Sequence, residues 1–325
     1  MRDEFDELLE LEKENRESKD IQKRMNLYLY KRIMIFAVIF TLVLGCLYIV
    51  NPFKENNSYY DPTTLTIEGL DNQTSLGLVL SSFYRTQYSG VEIGIHDIKK
   101  ESHKSILDVQ EISDLYSISY GDEDELTDII FDKGKANFKH RFSIWLDEYG
   151  KKDKLYNLNK ELSDLNDLPD SSILEVAVTF EKAISSYQLI ELMKEYSDVH
   201  FVWGCVGKKG QMSYGINLDN KLMYDVNDQF ETKYPYLNDF NKYDEKQLQQ
   251  HYLSSLKILM DYPDLLECIE ENYKSFEERY NESKDELSFV GVKCYIKKND
   301  FMKAIQSGVF KYGFIEDIRY SKYEK

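Results

Sequence analysis

IMIFAVIFTLVLGCLYIV, residues 33–50, is an unbroken apolar run without a single charge. As a helix rising 1.5 Å per residue it reaches about 27 Å, slightly under a ~30 Å hydrocarbon core, and Lys31 and Arg32 can snorkel to close the gap. The run is long enough to span a bilayer. Twelve of its residues are Ile, Leu, Val or Phe, which together favour insertion by about 5 kcal/mol. Its polar exception, Thr41, can turn its hydroxyl back onto the helix. A cleaved signal peptide fits poorly, because more than thirty residues precede the run, acidic on balance before the basic cluster, and no small-x-small site follows it. Val43-Leu44-Gly45-Cys46 has the look of a lipoprotein box, but the chain stays apolar through Val50 instead of turning polar after the cysteine.

Working outward, the flanks set an expected orientation. Lys23, Arg24, Lys31 and Arg32 crowd the N-terminal side, whereas NPFKENNSYYD beyond the run holds one Lys against Glu55 and Asp61. This places residues 1–32 in the cytoplasm and residues 51–325 outside, with Tyr28, Tyr30, Tyr48 and Phe53 at the two interfaces. The layout is that of a cell-membrane protein crossing the lipid bilayer once.

The cytoplasmic end divides by charge: residues 1–20 hold nine acids and four bases, residues 21–32 four bases and no acid. Phe5, Leu8, Leu9 and, on an adjoining face, Leu11 recur at helical spacing, with Asp3 placed to cap. A helix this short is marginal in water and needs burial from outside. Membrane-surface helices are usually basic and this one is acidic, so a groove on a protein partner is the expected cover.

The formal charge of −17 argues against direct contact with nucleic acid. Cys205, Cys268 and Cys294 are an odd set with no zinc spacing, so at most one bridge could join them and free buried thiols suit equally well. The five His residues show no metal-ligand spacing, with His200 and His251 inside apolar patterns. Gly204-Cys-Val-Gly207-Lys-Lys-Gly210 lacks the phosphate-loop spacing and follows a strand as a hairpin would. GDEDELTD, residues 121–128, lacks the ligand alternation of a calcium loop and reads as an exposed turn. No catalytic signature, metal site or cofactor site emerges, and the chain is not expected to be an enzyme.

Beyond Pro62, TLTIEGL and Val91–Ile95 alternate as strands, SLGLVLSSFYRTQY suits a helix or a long strand, and Leu126–Phe131 and Phe138–Leu146 are strand-like. From Ser171 the pattern sharpens. ILEVAVTF sets Leu174, Val176, Val178 and Phe180 on one face of a strand; Ser185–Gln188 offers a capping box to a helix; VHFVWGCV follows as a strand. The pattern returns as FVGVKCYI, NDFMKAIQS with Gly308 past its end, and VFKYGFIEDI. Two β-α-β halves of one length predict a ferredoxin-like duplication. Between them, KQLQQHYLSSLKILM and DLLECIEENYKSFEERY read as an inserted helical pair broken at Pro263, with Leu248, Tyr252, Leu256 and Leu259 as a buried stripe. The expected class is therefore α+β: a cytoplasmic tail (1–32), a transmembrane helix (33–50), an N-terminal ectodomain region (51–168) and a C-terminal ectodomain (169–325).

ILEVAVTFEKAISSYQLIELMKEYSDVHFVWGCVG and FVGVKCYIKKNDFMKAIQSGVFKYGFIEDI resemble the C-terminal domain of the sigma-factor regulators of Gram-positive bacteria, which are single-pass anti-sigma proteins. The basic cluster, the span and the following YYDP resemble their N-terminal region. The resemblance covers about half of the chain. It implies that the tail holds a transcription sigma factor at the membrane, with Phe5, Leu8, Leu9 and Leu11 as the contact residues, while the ectodomain receives an envelope signal. The family's cytoplasmic domains usually have several helices and this tail has room for one or two, so a second membrane protein beside it is a further expected partner. The alternative is an envelope interaction protein with an inert tail.

Overall fold

The computed structural model describes residues 16, 19, 22–42, 45, 60–87, 92–101, 104–112, 126–132, 134–138, 165–207, 214–219, 223–269, 272–310 and 312–319. The chain divides into two units, Met1–Tyr59 and Tyr60–Lys325. In the first, a helix runs over Gln22–Leu42 (α1).

The second unit is mixed α and β with two antiparallel sheets. At its centre is α2, Asn72–Gln87, in which every residue from Ser75 to Thr86 is buried. The choice between helix and long strand thus falls to helix, and a helix buried all round must be enclosed by other elements. Its serine and threonine hydroxyls are satisfied: Ser75 donates to Asp71 O, Ser82 to Leu78 O and Thr86 to Ser82 O, while Ser81 reaches Ile93 O at 2.8 Å. Without these bonds each buried hydroxyl would cost about 1–3 kcal/mol.

One sheet runs in simple meander order, β1 (Glu92–Glu101), β2 (Lys104–Ile112), β3 (Leu126–Asp132) and β4 (Lys135–Phe138). The acidic stretch expected as a turn over 121–128 contributes its last three residues to β3, where Leu126, Thr127 and Asp128 pair with Gln110, Val109 and Asp108. Its residues 121–125 lie outside the described residues, as does 139–146 of the strand expected from Phe138.

The other sheet holds β5 (Ile173–Ser185), β6 (His200–Val206), β7 (Tyr214–Asn217), β8 (Ser288–Lys297) and β9 (Tyr312–Arg319), in the order β7-β6-β8-β5-β9. Two helices, α3 (Ser186–Glu195) and α8 (Lys298–Gln306), connect β5 to β6 and β8 to β9. β5 and β6 both run antiparallel to β8, and β8 and β9 both run antiparallel to β5. The strands of each β-α-β unit are therefore parallel to one another but not neighbours, since one strand of the other unit lies between them. β5 and β8 form the centre, and Leu174, Val176, Val178, Val292 and Cys294 there are wholly buried.

Local signals act where the residues place them. β5 passes into α3 without a loop, because Ser185 caps the Gln188 amide and the Gln188 side chain accepts from the Ser185 amide at 2.9 Å. Gly308, at φ +80°, closes α8. The insertion departs from the expected pair, consisting of α4 (Asp228–Lys233), α5 (Glu245–Asp261), α6 (Pro263–Cys268) and α7 (Tyr273–Ser283). Pro263 starts α6, and the expected second helix divides again because Asn272 caps a new one through the Lys274 amide. Leu248, Tyr252, Leu256 and Leu259 of α5 are fully buried, and α5 packs against α2, α3 and α7. One hydrophobic core joins α2 and the first sheet to the second sheet, from Leu65 and Phe83 through Leu107 to Val178 and Phe310, and a second, smaller cluster gathers Ala177, Val202, Trp203, Cys205, Val290 and Tyr295. Residues on either side of position 168 share the larger core.

Candidate functional site

α1 has 21 residues, all of them exposed, and it is the one helix among the described residues long and apolar enough to cross a membrane. At 1.5 Å per residue it is about 32 Å long. Phe36 and Phe40 are 70% and 66% exposed, an arrangement that water penalises and lipid does not. Thr41 bonds back to Ala37 O at 2.8 Å. The helix begins eleven residues before Ile33 and so takes in the basic cluster, where Arg32 lies 4.9 Å over the Tyr28 ring. Residues 43, 44 and 46–50 of the expected span lie outside the described residues. So do Phe5, Leu8, Leu9 and Leu11.

The second unit opens at Tyr60, and its first carboxylate is a junction. Asp61 caps a 3-10 turn, Pro62–Thr64, accepting from the Thr63 amide at 3.0 Å and the Thr63 hydroxyl at 2.7 Å. It also accepts from Lys100 Nζ at 3.0 Å and Ser105 Oγ at 3.2 Å, which flank the β1–β2 turn. Burial works to raise its pKa, but the donors from Thr63 and Lys100 outweigh it and hold the carboxyl below the usual range. Next door, burial, helped by Cys268 and Asp264, pushes the Tyr60 phenol up to about 12. Tyr60 and Asp61 are thus locked to the end of one hairpin and lie beside α6.

A second polar group sits on the five-stranded sheet. His200 and Asp219 approach to 2.8 Å and Lys242 reaches the other Asp219 oxygen at 3.3 Å. Burial raises the Asp219 pKa, while His200 and Lys242 more than offset it and keep the group ionised. Beside them Lys293 and Glu175, 11% and 13% exposed, pair at 2.7 Å. Asp219 is thus held as a carboxylate by its partners rather than poised for proton transfer. Cys205, Cys268 and Cys294 are free and buried. Burial pushes the first two up to about 12 and about 11, and raises Cys294 as well, so each stays a thiol at neutral pH. His251, which lies inside an apolar pattern of the sequence, is in the core, and burial with nearby Arg85 drives it down to about 3.

A shallow groove of 380 Å³ opens where β5 loses its pairing, bordered by Phe180, Lys182, Ile184, Leu192 and Val309. Thr179 pairs with Gly291 and Ile184 with Phe289, so four residues of β5 bulge against one of β8. Neither Gly nor Pro marks that bulge, and nothing in the alternation announces it.

Compared with family models, curated proteins and solved structures, the chain has no match.

Proposed function

We propose that this chain is a single-pass membrane regulator whose short cytoplasmic tail sequesters a sigma factor and whose ectodomain responds to an envelope signal. The observation that carries the reading is α1, an exposed apolar helix of membrane-spanning length set before a separate compact unit. The basic cluster at its start favours a cytoplasmic N-terminus. The sigma factor as partner follows from the resemblance of the quoted segments, with Phe5, Leu8, Leu9 and Leu11 as the contact stripe. The interleaved strand order, with α4–α7 placed between the halves, supports a ferredoxin-like duplication with a helical insertion.

The test has two arms. Protease added to intact protoplasts should remove the second unit and leave the N-terminal residues protected; a protected second unit sinks the topology. Deleting residues 2–20 should derepress a set of genes, and changing Leu8 and Leu9 to Asp should abolish recovery of a sigma factor with the purified chain. If transcription is unchanged by the deletion, the chain is an envelope interaction protein with an inert tail.

A further inference from the structure

Tyr236 is the one non-glycine at positive φ, +60°, among the described residues. A bulky L-residue there is strained, which Gly would avoid and Asn would reduce. The backbone around it is over-determined. Ser254 donates to Pro235 O at 2.8 Å, His251 Nδ1 to Tyr236 O at 2.6 Å, and Arg85 to Leu237 O at 3.2 Å. Three consecutive carbonyls are thus gripped by buried side chains from α5 and α2. Tyr234 and Leu237 on either side are 1% exposed.

All of this holds in place a ring that does nothing within the fold. Tyr236 is 38% exposed, and its phenol makes no hydrogen bond, ion pair or ring contact with any described residue. Strain retained for an idle, outward side chain is a mark of recognition. Met223 is 62% exposed. Asn238 ties the segment of Met223 to that of Tyr236 by holding Tyr224 N and O, each at 2.8 Å. Phe240, between Tyr236 and Tyr243, stacks on His251 at 3.9 Å.

The charge of this segment selects its partner. Residues 219–245 carry seven acids against three lysines. Two of the lysines are engaged, Lys233 with Asp261 and Lys242 with Asp219, while Asp225 and Asp239 are exposed beside Met223 and Tyr236. We infer that Met223 and Tyr236, flanked by Asp225 and Asp239, form a docking surface for a basic polypeptide segment, whose cationic side chains lie over the Tyr236 ring and between the carboxylates. The inference stands whether or not the tail binds a sigma factor.

The test uses the full chain in phosphatidylcholine nanodiscs, titrated with an arginine–glycine dodecapeptide and with its glutamate–glycine counterpart. Binding of the basic peptide alone is expected, weakened about tenfold by Tyr236→Asn and weakened by the joint change of Asp225 and Asp239 to Asn. Tyr236→Asn should leave the melting temperature unchanged or raise it, because Asn tolerates the left-handed backbone. An unchanged affinity in Tyr236→Asn, no binding of the basic peptide, or equal binding of both peptides would overturn the proposal. So would a lower melting temperature, since the ring would then be holding the fold.

Discussion

Asp61 and Lys100 are 39 residues apart in the chain and 3.0 Å apart in space. Their contact fixes the start of the second unit to the end of the β1–β2 hairpin. Lys100 is 56% exposed, so the ion pair itself contributes about 0–1 kcal/mol. The cap and the Ser105 bond contribute more. Asp61→Ala should lower stability by about 1–2 kcal/mol and Lys100→Gln by under about 0.5 kcal/mol, measured by urea denaturation of the full chain in detergent. Because folding lowers the Asp61 pKa, its contribution is complete above the ordinary carboxylate value of 3.8. It is lost as pH falls through the lower folded value.

His251 predicts a second pH dependence at milder acidity. Its folded pKa of about 3 lies below the ordinary 6.5. Below pH 6.5 the unfolded chain gains a proton that the native chain refuses, so stability falls with pH until about pH 3. The slope from this group is about 1.4 kcal/mol per pH unit. Denaturation midpoints at pH 7, 5.5 and 4.5 should trace that loss. His251→Asn keeps a donor for the Tyr236 carbonyl and should flatten the curve in this window; an unaltered slope would refute the assignment.

The Glu175–Lys293 pair lies across the central strands β5 and β8, with both side chains almost enclosed. Removing one partner leaves a buried charge short of its counter-ion. Lys293→Met should therefore cost about 3 kcal/mol, and the double change with Glu175→Leu should cost less than the single one. A double-mutant cycle in urea measures the difference.

Trp203 is fully buried and donates its indole N–H to Arg85 O at 3.1 Å. It thereby joins β6 to the last turn of α2. Trp203→Phe removes that donor and leaves a small void, for an expected loss of about 2–4 kcal/mol by denaturation. The opposite error is testable at Gly215, where an added Cβ would collide with the Trp203 ring and with Gly204 O. Gly215→Ala should cost at least as much, because the second obstacle is backbone and cannot turn aside.

What was legible beforehand was local. The alternation in ILEVAVTF, the capping pair Ser185 and Gln188, the break at Pro263 and the stripe Leu248–Leu259 all act within a few residues, and each forms the element its pattern predicts. The bulge after Thr179 and the extra helix start at Asn272 escaped because they depend on how β5 meets β8 and how α7 leaves α6. Tyr236 escaped for the same reason: its strain exists only because Ser254, His251 and Arg85 converge on three carbonyls.

By itself the sequence determined the apolar helix before the compact unit, the α+β class and most of the element types, because periodicity and capping are interactions between near neighbours in the chain. Only the tertiary structure decided the interleaving of β5 with β8, the core shared across position 168 and the burial of α2 on every side. Strand partners and helix covers are chosen by burial between distant segments, and one chain's residue pattern suits several such pairings until the packed whole selects one.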